Sequence, residues 1–531
     1  MSMKKLILAV VSGILFALGW PTYGFPLFLF FAFIPLLFIE EELRVSNSKR
    51  KKLSLFGLSY ISFFIWNVFT TSWLWYADPF GAGFAILVNS LLMSTVMVVY
   101  HLVAQRTQPF RALLFFLTLW LSFEKLHLYW EFSWPWLNLG NAFSEYTTWI
   151  QWYEYTGTFG GSLWILFSNV FLFTSIKCYL AEKQTSILKK TLVKFSLVLL
   201  IPIGISIGLY FDYEPSKRQV NAIVLQPNID PYSEKYNLSN ETVLEDLIAL
   251  SRTKLTDSTD FILAPETVIA KNVRLNQFNN SLIKTKMKRF VDAHPHVNFL
   301  TGISFYEAFS DPTKVRSQSN LYKKNLWIDD YNSAILIKHN DAKFQRYDKS
   351  KLVVGVENFP YQSVLKPLIG DAMIDLGGTV MMKTTQKERG VFEGVDPSHK
   401  AAPIICYESV YGEFVTGYIR NGANFLAIIT NDAWWSNTLG HKQHLSYAKL
   451  RAIETRKAIA RSANTGISAF INAKGEIVKR LDYEKKGALS ETIEVNDKIT
   501  FYVIAGDYIP RIAIFIMLFV FLIEMFRVKR L

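Results

Sequence analysis

Residues 192–226 read LVKFSLVLLIPIGISIGLYFDYEPSKRQVNAIVLQ, and this stretch decides the architecture of the chain. Its first part, 192–212, is an apolar run of the length that a membrane-spanning helix needs, about 20 residues. Its second part, 220–226, is a short apolar run typical of a buried β-strand. The sequence therefore predicts a helical membrane domain followed directly by a water-soluble domain.

The composition of the 531-residue chain supports this division. Hydrophobic residues make up 50% and aromatic residues 15% of the chain, while charged residues account for only 19%, against about 25% in ordinary globular proteins. These values exclude a disordered chain, a collagen-like chain and a disulfide-rich scaffold, and they argue against a purely soluble protein. The 57 basic and 44 acidic residues need contact with water, so the whole chain is not expected to lie in a membrane.

Apolar runs predict seven spans in the N-terminal region and an eighth near the C-terminus. The first two runs are short and could instead form a re-entrant hairpin around Pro21 and Gly24. We therefore predict a membrane domain at 1–212, a soluble domain at 213–509, and a last span with a basic tail at 510–531. The predicted spans are 5–21, 25–40, 53–76, 82–104, 111–129, 157–181, 192–212 and 511–528.

Basic residues cluster on one side of these spans, in a chain whose net charge is +13. Because cytoplasmic loops are rich in Lys and Arg, both termini are predicted to be cytoplasmic. Residues 213–509 are then predicted to lie outside, in the periplasm of a double-membraned bacterium or on the cell surface. Cys178 then lies at the inner edge of the membrane and Cys406 lies outside, so the two are not expected to pair. The clusters are Lys4, Lys5, Arg44, Lys49, Arg50, Lys51, Lys52, Arg106, Arg111, Lys177, Lys183, Lys189, Lys190, Arg527, Lys529 and Arg530.

The loop at 129–155 is dense in aromatic residues. It is either an interfacial aromatic belt or a floor against which a lipid substrate docks. Glu124 and Lys125 precede this loop, at the outer end of the fifth predicted span. Ionisable residues near membrane depth are functional candidates, although a mutual ion pair between these two side chains would also explain them.

Beyond residue 212, short apolar runs alternate with amphipathic stretches, which predicts an α/β domain. Two polar segments, 307–324 and 372–400, are predicted to be loops. The sequence contains no phosphate-binding glycine loop and no His/Cys cluster with metal-ligand spacing. The predicted strands are 220–226, 260–264, 298–303, 333–338, 402–406, 424–430 and 466–472, and the predicted helices are 239–256, 281–293 and 441–461.

Three reactive residues lie at the ends of predicted elements. Glu266 follows the run FILAP, Lys349 precedes Glu357 by eight positions, and Cys406 ends the run PIIC. Alone, each is more often a surface charge or a core thiol. Together they suit thiol chemistry, because a Cys thiol needs a base, a carboxylate can act as that base, and a Lys can stabilise an oxyanion.

The order Glu, Lys, Cys on an α/β domain resembles the nitrilase (carbon–nitrogen hydrolase) superfamily. The whole chain is similar to its membrane-embedded members, the bacterial apolipoprotein N-acyltransferase family, in which the catalytic domain is inserted between spans seven and eight. The motifs that carry this resemblance are Trp134-Pro135-Trp136-Leu137, Gln226-Pro227-Asn228-Ile229, Pro265-Glu266-Thr267, the stretch from Tyr347 to Pro360, Cys406-Tyr407-Glu408, Asn431 to Trp434, Gln443-His444-Leu445, Arg451 to Glu454, and Asn464-Thr465-Gly466.

The resemblance implies a nitrilase-like αββα sandwich beside about eight helical spans. It implies Glu266 as general base, Lys349 as oxyanion stabiliser and Cys406 as nucleophile, with an acyl-thioester intermediate and no metal or cofactor. The implied substrates are a phospholipid acyl donor and a diacylglyceryl apolipoprotein acceptor; the implied protein is a monomer in the bacterial inner membrane that binds no nucleic acid. The resemblance implies supporting roles for Glu357, Tyr407 and Glu408. A candidate substrate loop contains Tyr236, Trp434 and Trp435.

The sequence departs from the family pattern in the Lys loop and in the candidate substrate loop. A Pro-Phe-Gly stretch is replaced by Val354-Gly355-Val356, so the loop backbone must differ there. A Trp of the family appears as Tyr236 after a one-residue insertion, which puts a lid role for this position in doubt. The usual Trp-Phe-Gly is here Trp434-Trp435-Ser436.

Two other classes of function remain open at this point. A membrane-tethered amidase of the nitrilase type would hydrolyse a small amide, but a tether needs only one span. A transporter with an outer binding domain usually carries ionisable residues in the middle of its spans, and these spans hold almost none there.

Overall fold

The structure, a computed structural model, describes residues 2–341, 343–369 and 381–528. The chain divides into two compact units. The helical unit runs from residue 2 to Trp75, over Pro79–Asp212, and from Ala505 to residue 528. The α/β unit comprises Tyr76–Asp78 and the described residues of Tyr213–Ile504.

The helical unit consists mainly of apolar helices, and the longest connection between them, 127–152, contains three 3₁₀ turns. A last helix, Tyr508–Val528, belongs to it as well. The others are α1 (Met3–Leu18), α2 (Leu29–Ala32), α3 (Ile34–Val45), α4 (Lys51–Thr71), α5 (Pro79–Ala104), α6 (Pro109–Leu126), α7 (Tyr153–Thr156), α8 (Thr158–Glu182) and α9 (Thr185–Asp212).

Among the described residues, five helices are long and apolar enough to cross a membrane, and they coincide with five of the predicted spans. The first predicted span is a 16-residue helix, α1. The fifth is the 18-residue helix α6, which contains Arg111, Glu124 and Lys125. The count of eight spans therefore remains a prediction. The five helices are Lys51–Tyr76, Pro79–Ala104, Thr158–Glu182, Thr185–Asp212 and Tyr508–Phe526.

The second predicted span is not one straight helix. It divides into a 3₁₀ turn at Pro26–Phe28 and the separate helices α2 and α3. The buried amide of Asn169 satisfies the backbone at this break, since its Nδ2 donates to Leu29 O and its Oδ1 accepts from Phe33 N, both at 2.8 Å. A broken helix is tolerated in an apolar region only where such a partner replaces the lost backbone hydrogen bonds.

Glu124 and Lys125 each have a partner farther along the helical unit. Glu124 Oε1 accepts a hydrogen bond from Leu139 N at 2.8 Å. Lys125 Nζ forms an ion pair with Asp507 Oδ2, also at 2.8 Å. These contacts give both side chains a structural role that needs no pairing between them.

The α/β unit is built from two mixed sheets and flanking helices. Its strands are β1 (Gln219–Gln226), β2 (Phe261–Leu263), β3 (Ile269–Arg274), β4 (Asn298–Phe309), β5 (Asn320–Lys323), β6 (Leu326–Ile337), β7 (Gln345–Asp348), β8 (Phe392–Glu393), β9 (Lys400–Ile405), β10 (Phe425–Thr430), β11 (Ile459–Ala463), β12 (Ser468–Ile471), β13 (Ile477–Leu481) and β14 (Gly487–Glu494). Its helices are α10 (Asn240–Arg252), α11 (Leu282–Ala293), α12 (Gln362–Ile369), α13 (Gly412–Arg420), α14 (Leu439–Thr455) and α15 (Phe501–Ala505).

The two sheets pack face to face between layers of helices. The first sheet has the order β14-β1-β2-β4-β6-β5, with β3 and β7 at its side, and the second has the order β13-β12-β11-β10-β9-β8. Across the interface, the rings of Phe261 and Phe425 lie 5.1 Å apart. Helices α10 and α11 pack on the first sheet, and α13 packs on the second beside α14. This is a four-layered αββα sandwich, as the sequence predicts.

Parallel strands bring several loops to one edge of each sheet. Strands β1, β2 and β4 run parallel in the first sheet, and β9, β10 and β11 run parallel in the second. The loops that leave the carboxyl ends of parallel strands are the usual place for a binding site in an α/β protein. Glu266 follows β2, and Cys406 directly follows β9.

Two sequence predictions need correction in this unit. The helix predicted at 441–461 ends at Thr455, because Arg456 takes a left-handed φ of +51°, and the chain continues as strand β11. The segment 307–324, predicted to be a loop, contains the end of β4 and all of β5. Of the second predicted loop, 372–400, the part up to residue 380 lies outside the described residues. The described part, from residue 381 on, contains the short strand β8.

Candidate active site

Lys349 is the centre of a buried cluster of polar side chains. It directly follows β7, and its Nζ lies 2.9 Å from Glu266 Oε1 and 2.9 Å from Glu357 Oε2. All three side chains are buried. The ammonium of Lys349 therefore bridges the two carboxylates, and it contacts both oxygens of Glu357, because its Nζ also lies 3.0 Å from Glu357 Oε1.

Asn332 and Asn431 hold the carboxylates in place. Asn332 Nδ2 donates to Glu266 Oε1 at 2.8 Å and to Glu357 Oε1 at 3.0 Å. The backbone N–H of Asn431 donates to Glu266 Oε2 at 3.1 Å. Each oxygen of Glu266 is thus fixed by hydrogen bonds, and its orientation is set before any substrate binds.

The charges of this cluster keep Lys349 protonated. Burial would lower the pKa of Lys349, but the carboxylates of Glu266 and Glu357 outweigh it and raise that pKa well above its usual value. Burial would likewise raise the pKa of Glu357, but Lys349 and the hydrogen bonds around the carboxylate lower it. Lys349 is therefore a fixed cation and cannot serve as a base near neutral pH.

Cys406 lies at a sharp turn between β9 and a 3₁₀ turn, Cys406–Val410. Its φ is +50°, a left-handed conformation that costs an L-residue roughly 1–2 kcal/mol. Burial, reinforced by the charge of Glu266, raises the pKa of the Cys406 thiol well above its usual value, while Lys349 opposes this. The thiol is therefore protonated near neutral pH and needs a base to become a nucleophile.

The backbone turn at Cys406 is held by the side chains of Ser409 and His444. Ser409 Oγ donates to Cys406 O at 2.7 Å, and His444 Nε2 lies 3.3 Å from the same oxygen. His444 Nδ1 lies 2.9 Å from Asp432 Oδ1, and Arg461 Nη2 donates to Asp432 Oδ2 at 2.6 Å. A buried network from the loop after β10, helix α14 and strand β11 thus stabilises the strained conformation of Cys406.

Cys406, Asp432 and His444 have ligand atoms within 4.8 Å of one another, close enough to hold a metal ion. Burial would raise the pKa of Asp432, but Arg461 and His444 hold that pKa far below its usual range. The arrangement does not suit a metal, because a guanidinium already binds one carboxylate oxygen and both nitrogens of His444 have hydrogen-bonding neighbours. Asp432 and His444 act on the protein backbone instead.

Glu408 connects the Cys406 turn with the Lys349 loop. Its Oε1 accepts from Ser350 N at 2.7 Å and from Tyr347 Oη at 2.6 Å. Its Oε2 accepts from Ile405 N at 2.9 Å. Burial raises the pKa of Glu408 above its usual value. Tyr407, the other residue predicted to support the site, is buried with its ring 5.2 Å from that of Tyr411.

Two residues of the candidate substrate loop, Tyr236 and Trp434, lie close to a second buried lysine, Lys235. Its Nζ lies 5.7 Å from the ring centre of Tyr236 and 5.3 Å from that of Trp434. Trp435 instead faces His444, with ring centres 5.7 Å apart. Tyr236 and Trp434 are thus close together in the structure, whereas Trp435 belongs to the surroundings of the Cys406 turn.

Several residues that build this site have no role predicted from the sequence, namely Lys235, Asn332, Asn431, Asp432, His444 and Arg461. One signal could have found two of them: Asn431 and Asp432 follow β10 just as Cys406 follows the neighbouring strand β9. Asn332 has no such signal, because it lies within β6 and not at a strand end.

Comparisons with known proteins support this fold. Residues 12–171 match the apolipoprotein N-acyltransferase N-terminal domain, and residues 311–499 match the carbon-nitrogen hydrolase family. An apolipoprotein N-acyltransferase of Chlorobaculum tepidum is 26% identical over 529 residues, which cover 96% of this chain and 95% of the relative. Apolipoprotein N-acyltransferase 1 of Treponema denticola is 29% identical over 542 residues, which cover 95% of this chain and 93% of the relative.

A solved structure of a nitrilase-superfamily member from Saccharomyces cerevisiae covers 53% of this chain and 93% of its own, at 12% identity and a TM-score of 0.37.

The αββα sandwich and the carbon-nitrogen hydrolase match assign the α/β unit to the nitrilase superfamily. The match of the helical unit and the full-length relatives narrow this assignment. Together, the two family matches and the relatives similar along the whole chain support an apolipoprotein N-acyltransferase of this superfamily.

Proposed function

We propose that this chain transfers an acyl chain from a membrane phospholipid to the α-amino group of the N-terminal, S-diacylglyceryl cysteine of apolipoproteins. The observation that carries the proposal is the buried Glu266–Lys349–Glu357 cluster, whose charges act on the thiol of Cys406. That set supplies a nucleophile, a base and a cation without a metal or cofactor. Relatives similar along the whole chain are named apolipoprotein N-acyltransferases, which supports these substrates.

In the first half-reaction, Glu266 takes the thiol proton and the sulfur of Cys406 attacks the ester carbonyl of the phospholipid. The ammonium of Lys349, together with the backbone N–H of Tyr407, stabilises the oxyanion of the tetrahedral intermediate. The C–O bond of the ester then breaks, and the leaving lysophospholipid alkoxide takes the proton from Glu266. The product is a thioester on Cys406.

In the second half-reaction, the neutral amine of the acceptor attacks this thioester. Glu266 takes a proton from the attacking nitrogen, the C–S bond breaks, and the proton passes from Glu266 to the sulfur of Cys406. Glu357 keeps Lys349 in position by their ion pair throughout. Because the two substrates use the same sulfur in turn, the mechanism is of the ping-pong type.

The proposed location follows from charge and hydropathy. The protein is a multi-pass protein of the bacterial inner membrane, with both termini in the cytoplasm and the α/β unit in the periplasm. In the part of the chain that the structure describes, five helices are apolar and long enough to span a membrane, which supports a membrane location. Both substrates are lipids, and an enzyme in the membrane meets both.

The proposal is tested by isolating the acyl-enzyme. Purified protein incubated with radiolabelled phospholipid, without acceptor, should carry the label on Cys406, and neutral hydroxylamine should release it as a thioester. Cys406→Ser should not form this thioester, whereas Cys178→Ser, which changes the other cysteine of the chain, should still form it. Acceptor acylation without any label on Cys406 would mean direct transfer. Ammonia release from a small amide, with no reaction on phospholipid, would favour the amidase alternative.

A further inference from the structure

Lys235 is a buried cation for which the mechanism above has no use. It lies in the segment between β1 and α10, where its backbone N–H donates to Asp230 O at 2.9 Å. Asp230 also organises the preceding turn, since its Oδ1 accepts from Ser233 N at 2.6 Å and from Tyr232 N at 2.9 Å. The position of Lys235 is thus fixed by the fold of this segment.

Among the described residues, the ammonium of Lys235 has one hydrogen-bond partner, Thr267 Oγ1, at 2.7 Å. Within the described part of the chain, no carboxylate lies within 4 Å of its Nζ, although its side chain is buried. Thr267 directly follows Glu266, so the ammonium lies beside the catalytic cluster. Two N–H groups of a buried cation are left without a hydrogen-bond acceptor, which is costly unless a ligand supplies one.

Aromatic rings border the ammonium. The rings of Tyr236 and Trp434 lie within 6 Å of it, and Trp434 meets Tyr232 edge to face at 5.4 Å. Tyr232 is half exposed, with 54% of its surface accessible. A cation beneath a partly exposed aromatic rim suits a ligand that combines an anionic group with an apolar body.

We propose that Lys235 binds the phosphate group of the phospholipid donor and so sets the preference of the enzyme for donors that carry this anion. The inference rests on the proposed function, in which the donor is a phospholipid. Of the two proposed substrates, the donor alone carries an anion near its reacting ester; the reacting end of the acceptor is an amine, which a cation would repel when it is protonated. Lys235 is therefore a specificity residue for the first half-reaction.

The charges of the neighbouring groups fit this role. Lys349 is paired with Glu266 and Glu357, and Lys383 is paired with Asp330 Oδ2 at 2.7 Å. Burial lowers the pKa of Lys235 to about 8, with Glu266 opposing that shift, so the ammonium form still prevails at neutral pH. The alternative explanation is that Lys235 only balances the negative charge of the cluster, in which two carboxylates share the single cation Lys349. The two explanations differ in whether the effect of losing Lys235 depends on the donor.

The test compares two donors with the same acyl chains, a phospholipid and an uncharged diacylglycerol, in the full-length protein in detergent. The rate of acyl-thioester formation on Cys406 gives kcat/KM for each donor. We call the kcat/KM for phospholipid divided by the kcat/KM for diacylglycerol the donor ratio. In Lys235→Met, the donor ratio should fall roughly 10- to 100-fold, the size expected for losing a hydrogen bond to a charged group. Lys235→Arg should retain part of the preference.

The matched control is Lys271→Met, which removes an exposed lysine on β3 whose Nζ donates to Asn237 O at 3.1 Å. This variant should keep the ratio of the wild type. An unchanged ratio in Lys235→Met, or an equal loss with both donors, would overturn the proposal, and the equal loss would identify a charge-balancing role. A thermal melt of Lys235→Met that matches the wild type excludes misfolding, because Met keeps the apolar stem and removes only the unpaired charge.

Inorganic phosphate distinguishes a lipid phosphate from a free one. If millimolar phosphate inhibits the wild type but not Lys235→Met while the donor ratio is unchanged, then the site takes a free anion and the assignment to the donor is wrong. If the wild type forms no acyl-thioester with either donor, the proposed function fails, which is a different result from an unchanged ratio.

Discussion

At the scale of single residues, the ammonium of Lys349 is the group on which the rest of the site depends. It is held 2.9 Å from two carboxylates, so its charge, position and hydrogen-bond direction are all fixed. A cation prepared in this way costs no reorganisation when an oxyanion develops beside it, which is the usual source of large rate effects.

We expect Lys349→Ala to lower the rate of acyl-thioester formation roughly 100- to 1,000-fold, as for the loss of one oxyanion donor. Lys349→Arg should not restore activity, because a planar guanidinium would pair with both carboxylates and leave no donor directed at the substrate. The rate is measured with labelled phospholipid and the fold by thermal melting. The exposed Lys387→Ala serves as control. Full activity of either Lys349 variant would contradict this role.

Asp432 is expected to make the stability of the protein depend on acid pH. The network around it lowers its pKa in the folded state, so its stabilising effect is complete above the unfolded pKa, about 3.9, and is lost as the pH falls below that value. Below the unfolded pKa, a group of this kind changes the free energy of unfolding by about 1.4 kcal/mol per pH unit.

Asp432→Asn should therefore be less stable than the wild type above pH ~5, and the difference should narrow as the pH falls below ~4. Thermal melts at several pH values measure this difference, and the exposed Asp257→Asn gives the baseline. A difference between Asp432→Asn and the wild type that stays constant down to acid pH would mean that Asp432 titrates normally.

At the scale of elements, strand β4 controls where Glu266 lies. A Cβ added at Gly302 would come within 2.4 Å of Pro265 O and 2.7 Å of Glu266 Cα. These are backbone atoms and cannot rotate away as a flexible side chain could. The absence of a side chain at Gly302 is thus a condition for the close approach of the Glu266 turn to β4.

Gly302→Ala should therefore displace Glu266 and lower the acylation rate about 100-fold or more, since a shift of about 1 Å in a catalytic group has effects of this size. Gly57→Ala in α4 is the control, because an added Cβ there meets no atom within 4 Å. The rate of thioester formation is again the measurement. An active Gly302→Ala enzyme would show that the Glu266 turn adapts to the added methyl group.

The elements also indicate how far the sequence alone leads. Strands with strong apolar runs, such as β1, β9 and β10, are predicted close to their true bounds. Strand β14, with the sequence GALSETIE, is missed, because it is half polar and becomes a strand only by pairing with β1 from far along the chain. The end of α14 is missed because Arg456 adopts a conformation for which its residue type gives no signal.

The candidate site follows the same rule. Glu266 and Cys406 are identifiable because each lies at or near the end of a predicted strand, and Lys349 is identifiable because it lies between them in a known order. Asn332, in contrast, reaches the cluster from the middle of β6, and its importance depends on which residues the fold brings opposite to it. Tertiary contacts of this kind leave no local pattern in the sequence.

At the scale of the whole molecule, the direction of insertion remains to be tested. A phosphatase that is active only outside the cytoplasm, inserted in the exposed turn near Asp257, should be active, because the proposed topology puts the α/β unit in the periplasm. The same reporter inserted near Ser48, beside the basic residues between α3 and α4, should be inactive. The reverse pattern would invert the proposed orientation.

The buried carboxylate of Glu408 also couples two segments that are far apart in sequence. The amides of Ser350 and Ile405 donate to opposite oxygens of this one group. An opening that withdraws Glu408 therefore exposes both amides to solvent in the same event. In deuterium exchange, the two amides should behave as one protected unit with a common opening free energy, so that the lysine loop and the nucleophile turn become labelled together.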